Sequence, residues 1–227
     1  MSRLNVVATP IGNLGDISLR ALDVLKSVDF IICEDTRVTG KLLNYFEIKK
    51  EMVVLNARNE QNRIEYISQK IKSGQSAALV SDAGTPCISD PGVRLVSQLI
   101  SDSIEVVGIP GANAAILALS ISGIPSDSFV FEGFLPNKKG RQKKLKILAE
   151  EERTIILYES MYRIEKLLNE LNEYMPARYV AVFRELTKKF EESWTGYPNQ
   201  ILEDLKSKTT KGEFVVIVSP INWKKEK

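Results

Sequence analysis

Ala77-Ala78-Leu79-Val80-Ser81-Asp82-Ala83-Gly84-Thr85-Pro86-Cys87-Ile88-Ser89-Asp90-Pro91-Gly92 is the stretch whose reading decides the fold. It opens with an uninterrupted apolar run, Ala77 to Val80, the pattern of a strand buried on both faces. Two Gly, two Pro, two Asp, two Ser and a Thr follow, which is turn chemistry. Val93 to Ile100 then spaces its apolar residues as a helix does. A polar loop between a strand's carboxyl end and a helix is where open α/β sheets bind small ligands. An ordinary helix start, with Ser89 or Asp90 as N-cap and Pro91 in the first turn, accounts for the second half of the loop. It leaves the turn Ser81 to Pro86 unexplained, so that turn is read as a ligand loop.

The same alternation extends in both directions. Leu4 to Thr9 reads as a first strand, followed by the loop Thr9 to Asp16 and a helix Leu19 to Ser27, capped by Asp16 or Ser18. Val28 to Cys33 reads as a second strand, ending in Glu34-Asp35-Thr36-Arg37 and entering a helix with Leu42, Leu43 and Phe46. A short strand Met52 to Leu55, a helix Glu60 to Ser73, a strand Ile104 to Gly108 and a small-residue helix Ala114 to Ile121 complete the series. Strands alternating with helices predict a parallel sheet whose loops converge on one rim. Gly123-Ile124-Pro125-Ser126 reads as a linker, giving α/β domains at 1–122 and 127–227. The second domain shows strands at Phe129 to Phe134, Thr154 to Tyr158, Arg178 to Phe183 and Glu213 to Val218, with helices at Ile164 to Tyr174 and Pro198 to Leu205. No internal repeat is apparent.

Composition narrows the chemistry. The chain of 227 residues has no histidine, which removes Ser-His-Asp triads, Cys-His pairs and HExxH zinc sites. Its two cysteines, Cys33 and Cys87, have neither zinc-ligand nor disulfide spacing, so no metal is expected. A net charge of +2 means that any nucleic-acid contact comes from a local patch. The best such patch is Lys138 to Lys146, comprising Lys138, Lys139, Arg141, Lys143, Lys144 and Lys146; it reads equally as a solvated helix face. Trp194 and Tyr197 are candidate base-stacking rings, or simply packed ones. No apolar run of transmembrane length and no signal-peptide pattern occurs, so a cytoplasmic protein is expected. Neither GxGxxG nor a P-loop is present, which argues against NAD and ATP while leaving room for an adenosine ligand without phosphates.

Six motifs then stand in register: Thr9-Pro10-Ile11-Gly12-Asn13-Leu14, Glu34-Asp35-Thr36-Arg37, Ser81 to Gly92, Phe131-Glu132-Gly133-Phe134-Leu135-Pro136, Arg184-Glu185-Leu186-Thr187-Lys188 and Lys211-Gly212-Glu213-Phe214-Val215. Together they closely resemble the small-subunit ribosomal RNA (cytidine-2′-O)-methyltransferase I family of the tetrapyrrole methylase superfamily. The resemblance runs from about residue 4 to 218. It implies a two-domain tetrapyrrole-methylase-like α/β fold with a mostly parallel first sheet and a mixed second one. It also implies S-adenosylmethionine as methyl donor, held between the domains, and a homodimer acting on small-subunit ribosomal RNA, free or in the assembled subunit. Carried over by position, the donor site comprises Pro10; Ser81, Asp82, Gly84, Thr85, Pro86, Ile88 and Ser89; Pro110, Gly111, Ala112, Asn113 and Ala114; and Tyr158 with Glu185. The chain has Ala112-Asn113 where the family more often has Pro-Ser, and Met161-Tyr162 where Pro-His is usual.

Without histidine, deprotonation of a ribose hydroxyl falls to a carboxylate or a lysine. Glu34, Asp35, Asp82 and Asp90 each follow a strand's carboxyl end, and Glu34, Asp35 and Arg37 are the catalytic candidates. Arg37 would hold a phosphate or pair with Asp35, and the run Glu34-Asp35-Thr36-Arg37 also suits a capped helix start with an internal ion pair. Two rival readings keep the fold: methylation of a tetrapyrrole or other small molecule, and a non-catalytic RNA-binding module.

Overall fold

Five short, apolar strands make a wholly parallel sheet because every connection is a helical crossover. In the computed structural model, which describes residues 2–225, they are β1 (Arg3–Val7), β2 (Phe30–Cys33), β3 (Glu51–Val54), β4 (Ala77–Leu79) and β5 (Glu105–Ile109), in the order β3-β2-β4-β1-β5. Helices α1 (Leu19–Ser27) and α2 (Thr36–Tyr45) cover one face, packing Leu25 and Leu43 on Val7, Ile31 and Ala78. Helices α3 (Glu60–Lys72) and α4 (Val93–Ser101) cover the other, packing Ile67, Ile71, Leu95 and Leu99 on Leu4, Ile32 and Leu79. Right-handed crossovers explain the split: the chain runs one way across the sheet from β1 to β3 and the other way from β3 to β5. Strand β4 therefore lies between β2 and β1, whose chains leave toward the α1/α2 face, while its own leaves toward the α4 face. Such a reversal opens a crevice at the strands' carboxyl ends, and the loop Ser81 to Gly92 leaves from its centre.

The first unit ends at Asn113 and the second begins at Ala114. The helix α5 (Ala114–Ile121) opens the second unit. Small residues let α5 lie against β7 (Thr154–Ser160) and β10 (Glu213–Val218) of the second sheet. The expected linker is itself fastened: Ile124 is buried and the Thr154 hydroxyl donates to the Pro125 carbonyl at 2.6 Å.

The second sheet runs β6-β7-β10-β8-β9, adding β6 (Phe129–Phe134), β8 (Val180–Arg184) and β9 (Glu192–Gly196). Only β6 and β7 pair in parallel, so the sheet is mixed. Helices α6 (Arg141–Ala149), α7 (Ile164–Tyr174) and α8 (Pro198–Leu205) pack on one face through Leu145, Leu148, Leu167, Leu168, Leu171 and Ile201. Strand β9 has no counterpart in the sequence reading. It carries Trp194 into this core, 6.2 Å from Phe214 between ring centroids, so Trp194 is a packing residue and not a base-stacking one. Tyr197 meets Tyr179 edge-on at 5.7 Å. Among the described residues no helix is long and apolar enough to cross a membrane.

Candidate active site

Four loops meet at the carboxyl rim of the first sheet, and backbone bonds lock them together. Thr9 and Gly84 form an isolated antiparallel bridge, with N–H···O distances of 2.8 and 3.1 Å in its two directions. The Thr9 hydroxyl also donates to the Ser81 carbonyl at 3.3 Å, and the Thr85 hydroxyl to the Ala112 carbonyl at 3.1 Å. A Cβ on Gly111 would lie 3.0 Å from the Ala8 Cβ, so the loop after β5 is pressed against the end of β1. Pro10, Ser81, Gly84 and Pro86 are buried in this knot, whereas Asp82, Ile88, Ser89, Pro110 and Gly111 are exposed along its rim. Gly92, not Ser89 or Asp90, caps α4, and its N–H donates to Glu60 at 3.0 Å. The half of the loop read as a helix start is therefore free of that task, and Asp90 turns toward Ser81, whose hydroxyl hydrogen-bonds to it.

The rim is acidic. Burial pushes the Glu34 carboxyl up, and the charges of Asp82, Asp90 and Asp35 push it further. Burial also raises Asp82, against the opposing bond in which the Asp35 N–H donates to its Oδ1 at 3.2 Å. Asp90 is raised by burial and by Asp82. Asp35 behaves oppositely. The Arg37 guanidinium grips both its oxygens, at 3.0 Å to Oδ1 and 2.5 Å to Oδ2, and holds its pKa at about 2. Asp35 also caps α2 by accepting the Arg37 N–H at 2.8 Å. Arg37 thus pairs with Asp35, while its side chain stays exposed. Among the described residues no ion pair falls on Glu34, Asp82 or Asp90, and no metal-ligand cluster is present. Three mutually repelling carboxylates at a crevice suit a cation, and S-adenosylmethionine brings a sulfonium and an ammonium.

In the second unit Tyr158 lies beneath the start of α5, its hydroxyl accepting the Ala115 N–H at 3.2 Å beside Ala114. The motifs around Glu185 and Gly212 prove to be one clip. The Glu185 carboxylate accepts from Lys188 Nζ at 2.9 Å and from the Glu213 N–H at 3.0 Å, while Arg184 Nη1 donates to the Lys211 carbonyl at 2.8 Å. What the structure gives Glu185 is this structural role.

The basic run needs one correction. Arg141 is expected to be an RNA contact, but it is buried at 2% exposure. Its guanidinium pairs with Glu170 at 2.7 Å and lies 3.6 Å from the fully buried Glu159, and its Nη1 donates to the Pro136 carbonyl at 3.2 Å. Arg163 pairs with Glu159 from the other side at 2.7 Å and also holds the Leu135 carbonyl and the Asn137 amide oxygen. A buried carboxylate at the end of β7 demanded a cation, and Arg141, at the start of α6, supplies one. Lys144 is tied to Glu132 at 2.7 Å. Among the described residues no ion pair falls on Lys138, Lys139, Lys143 or Lys146 of the run.

Parallel-sheet loops locked around an acidic crevice, followed by a mixed-sheet unit, define a class, and the comparisons agree with it. Residues 3–201 match the family model of Tetrapyrrole (Corrin/Porphyrin) Methylases. Ribosomal RNA small subunit methyltransferase I of Vibrio cholerae is 52% identical over 95% of this chain and 76% of its own length. The protein of that name from Thermotoga maritima is 43% identical over 96% of this chain and 99% of its own. The solved uroporphyrin-III C-methyltransferase of Thermus thermophilus, complexed with S-adenyl homocysteine, superposes with a TM-score of 0.65 at 16% identity, covering 95% of this chain and 96% of that one. The chain therefore belongs to the ribosomal RNA small subunit methyltransferase I family within the tetrapyrrole methylases.

Proposed function

We propose that this protein transfers a methyl group from S-adenosylmethionine to the ribose 2′-oxygen of a cytidine in small-subunit ribosomal RNA. The observation that carries the reading is the identity of 43–52%, along nearly the whole chain, with proteins named for methylating small-subunit ribosomal RNA. The acidic rim supports it physically.

The donor is activated in itself: when bound, it supplies an electrophilic methyl group on a positively charged sulfur. The chain's own work is then orientation and charge placement. Asp82, more exposed than Glu34 and Asp90, would face the donor's positive charge. Ser81 and Gly84, held by Thr9, and Thr85, bonded to Ala112 beside Asn113, would shape the floor. Glu34 would take the ribose hydroxyl proton as that oxygen accepts the methyl group, the donor's positive charge being discharged in the transfer. A carboxyl raised by burial is a better base near neutral pH than an ordinary one. Asp35, kept ionised by Arg37, stays out of proton exchange. Lys138, Lys139 and Lys143 neutralise RNA phosphates. The working form is a cytoplasmic homodimer, a point that rests on the family resemblance alone.

Calorimetric titration with S-adenosylmethionine tests the donor assignment. Saturable one-site binding is expected, and no heat of binding at millimolar donor would refute it.

A further inference from the structure

The second unit carries a groove that the donor site does not use. Its floor is Phe134, Leu135, Pro136 and Ile147, and its walls are Glu132, Gly140, Lys143 and Lys144, enclosing about 390 Å³. Phe134 and Ile147 are large apolar side chains left 53% and 56% exposed. Their placement is fixed. Phe134 ends β6 after a register shift between Phe131 and Gly133, and packs edge-on against Tyr158 at 5.7 Å. The Arg163 guanidinium stands 5.8 Å from its ring, held by the Glu159 network. Ile147 lies off the buried stripe of α6, which is Arg141, Leu145 and Leu148. Lys143 and Lys146 flank Ile147 without ion-pair partners among the described residues, and a second hollow continues over it between Gln142 and Glu150.

An aromatic ring in an apolar groove edged by Lys143 and by the Lys144–Glu132 pair, with Lys146 in the adjoining hollow, matches an unstacked nucleobase whose neighbouring phosphates meet Lys143 and Lys146. We infer that this groove is a nucleobase subsite: Phe134 stacks on, and Ile147 abuts, an unpaired base of single-stranded RNA. This rests on the reading of RNA as substrate and adds a base-contacting element to it. The charge of the rim favours RNA over an apolar protein surface.

The test measures binding of a fluorescein-labelled single-stranded RNA dodecamer to the full-length protein and to the Phe134→Ala and Ile147→Ala variants, alongside the same dodecamer made abasic at successive positions. Loss of one stacked base corresponds to roughly tenfold weaker binding. The expected result is such a loss for Phe134→Ala, a smaller one for Ile147→Ala, and almost no further loss when either variant meets the abasic RNA. The salt dependence should stay unchanged in both, whereas Lys143→Gln should lower its slope by about one unit. Unchanged RNA affinity in both variants overturns the subsite. So does an equal loss on intact and abasic RNA, or a shift in oligomeric state with RNA affinity intact, which would assign the groove to a second copy. Ile147 is a surface helix residue, so its variant carries the test if Phe134→Ala fails to fold. Titration with S-adenosylmethionine in parallel keeps the two readings apart: a subsite without donor binding would refute the methyltransferase assignment and leave the groove standing.

Discussion

In the proposed donor site Asp82 has two tasks that a single substitution separates. Its Oδ1 accepts the Asp35 N–H and so ties the β2 and β4 loops, while its charge would meet the cationic donor. Asp82→Asn keeps an oxygen for the first task and removes the second. S-adenosylmethionine affinity should fall about tenfold or more, as expected for loss of a charge-assisted contact, with the melting temperature unchanged or raised; unchanged affinity in calorimetry would exclude Asp82 from the donor site. The trio also sets a pH signature. Glu34, Asp82 and Asp90 all titrate above their ordinary values, chiefly through burial. For an acid raised on folding, the stability contribution is full below the unfolded pKa and is lost as pH rises through the folded one. These carboxylates therefore weaken the free protein as they ionise, and a cation bound at Asp82 relieves the strain by lowering the Asp82 pKa. Donor binding just above the ordinary carboxylate range should release protons, a release that shows as a dependence of calorimetric heat on the buffer's ionisation enthalpy. Proton uptake there would contradict the cationic-ligand reading.

At the scale of elements, the second unit depends on two fastenings. The Arg141–Glu159–Arg163 cluster joins the start of α6, the end of β7 and the start of α7. Arg141→Met should destabilise the unit by about 3 kcal/mol, toward the low end for a broken buried pair because Arg163 still faces Glu159; chemical denaturation measures it. The other fastening is the Glu185–Gly212 clip. A Cβ on Gly212 would lie 2.6 Å from the Glu185 Cγ, at a φ of +123° that L-residues avoid. Gly212→Ala should cost about 2 kcal/mol or more, read as a lowered melting temperature. The same elements show where sequence reading succeeds. Ala77 to Val80, Phe30 to Cys33 and Phe214 to Val218 are legible because buried strands are written as apolar runs. Strand β9 is not: Glu192-Ser193-Trp194-Thr195-Gly196 buries only one large side chain and has no apolar run. Arg141 misleads because arginine is exposed by default, and its partners Glu159 and Glu170 lie a helix and a strand away in sequence. The groove of Phe134 and Ile147 had a visible trace, an isoleucine off the buried stripe of a lysine-rich helix, but its meaning required the neighbouring strand.

For the whole molecule, the order of loops was legible and the place of helix α5 was not. Loops after β1, β2, β4 and β5 could be assigned to one rim from alternation alone, and the structure knits them through Thr9, Asp35, Gly84 and Ala112. Helix α5 reads as one more crossover until its contacts with β7 and β10 are seen. Likewise, the acidic rim announces a cationic ligand but no acceptor, and the acceptor rests on family membership. One measurement addresses that claim most directly: incubating the protein with methyl-labelled S-adenosylmethionine and small ribosomal subunits, or their extracted RNA, from a strain lacking its gene, then digesting the RNA to nucleosides. The account predicts label in 2′-O-methylcytidine at a single position, lost with Glu34→Gln. Label confined to a base or a tetrapyrrole, or no transfer to RNA by a protein that binds the donor, would contradict it.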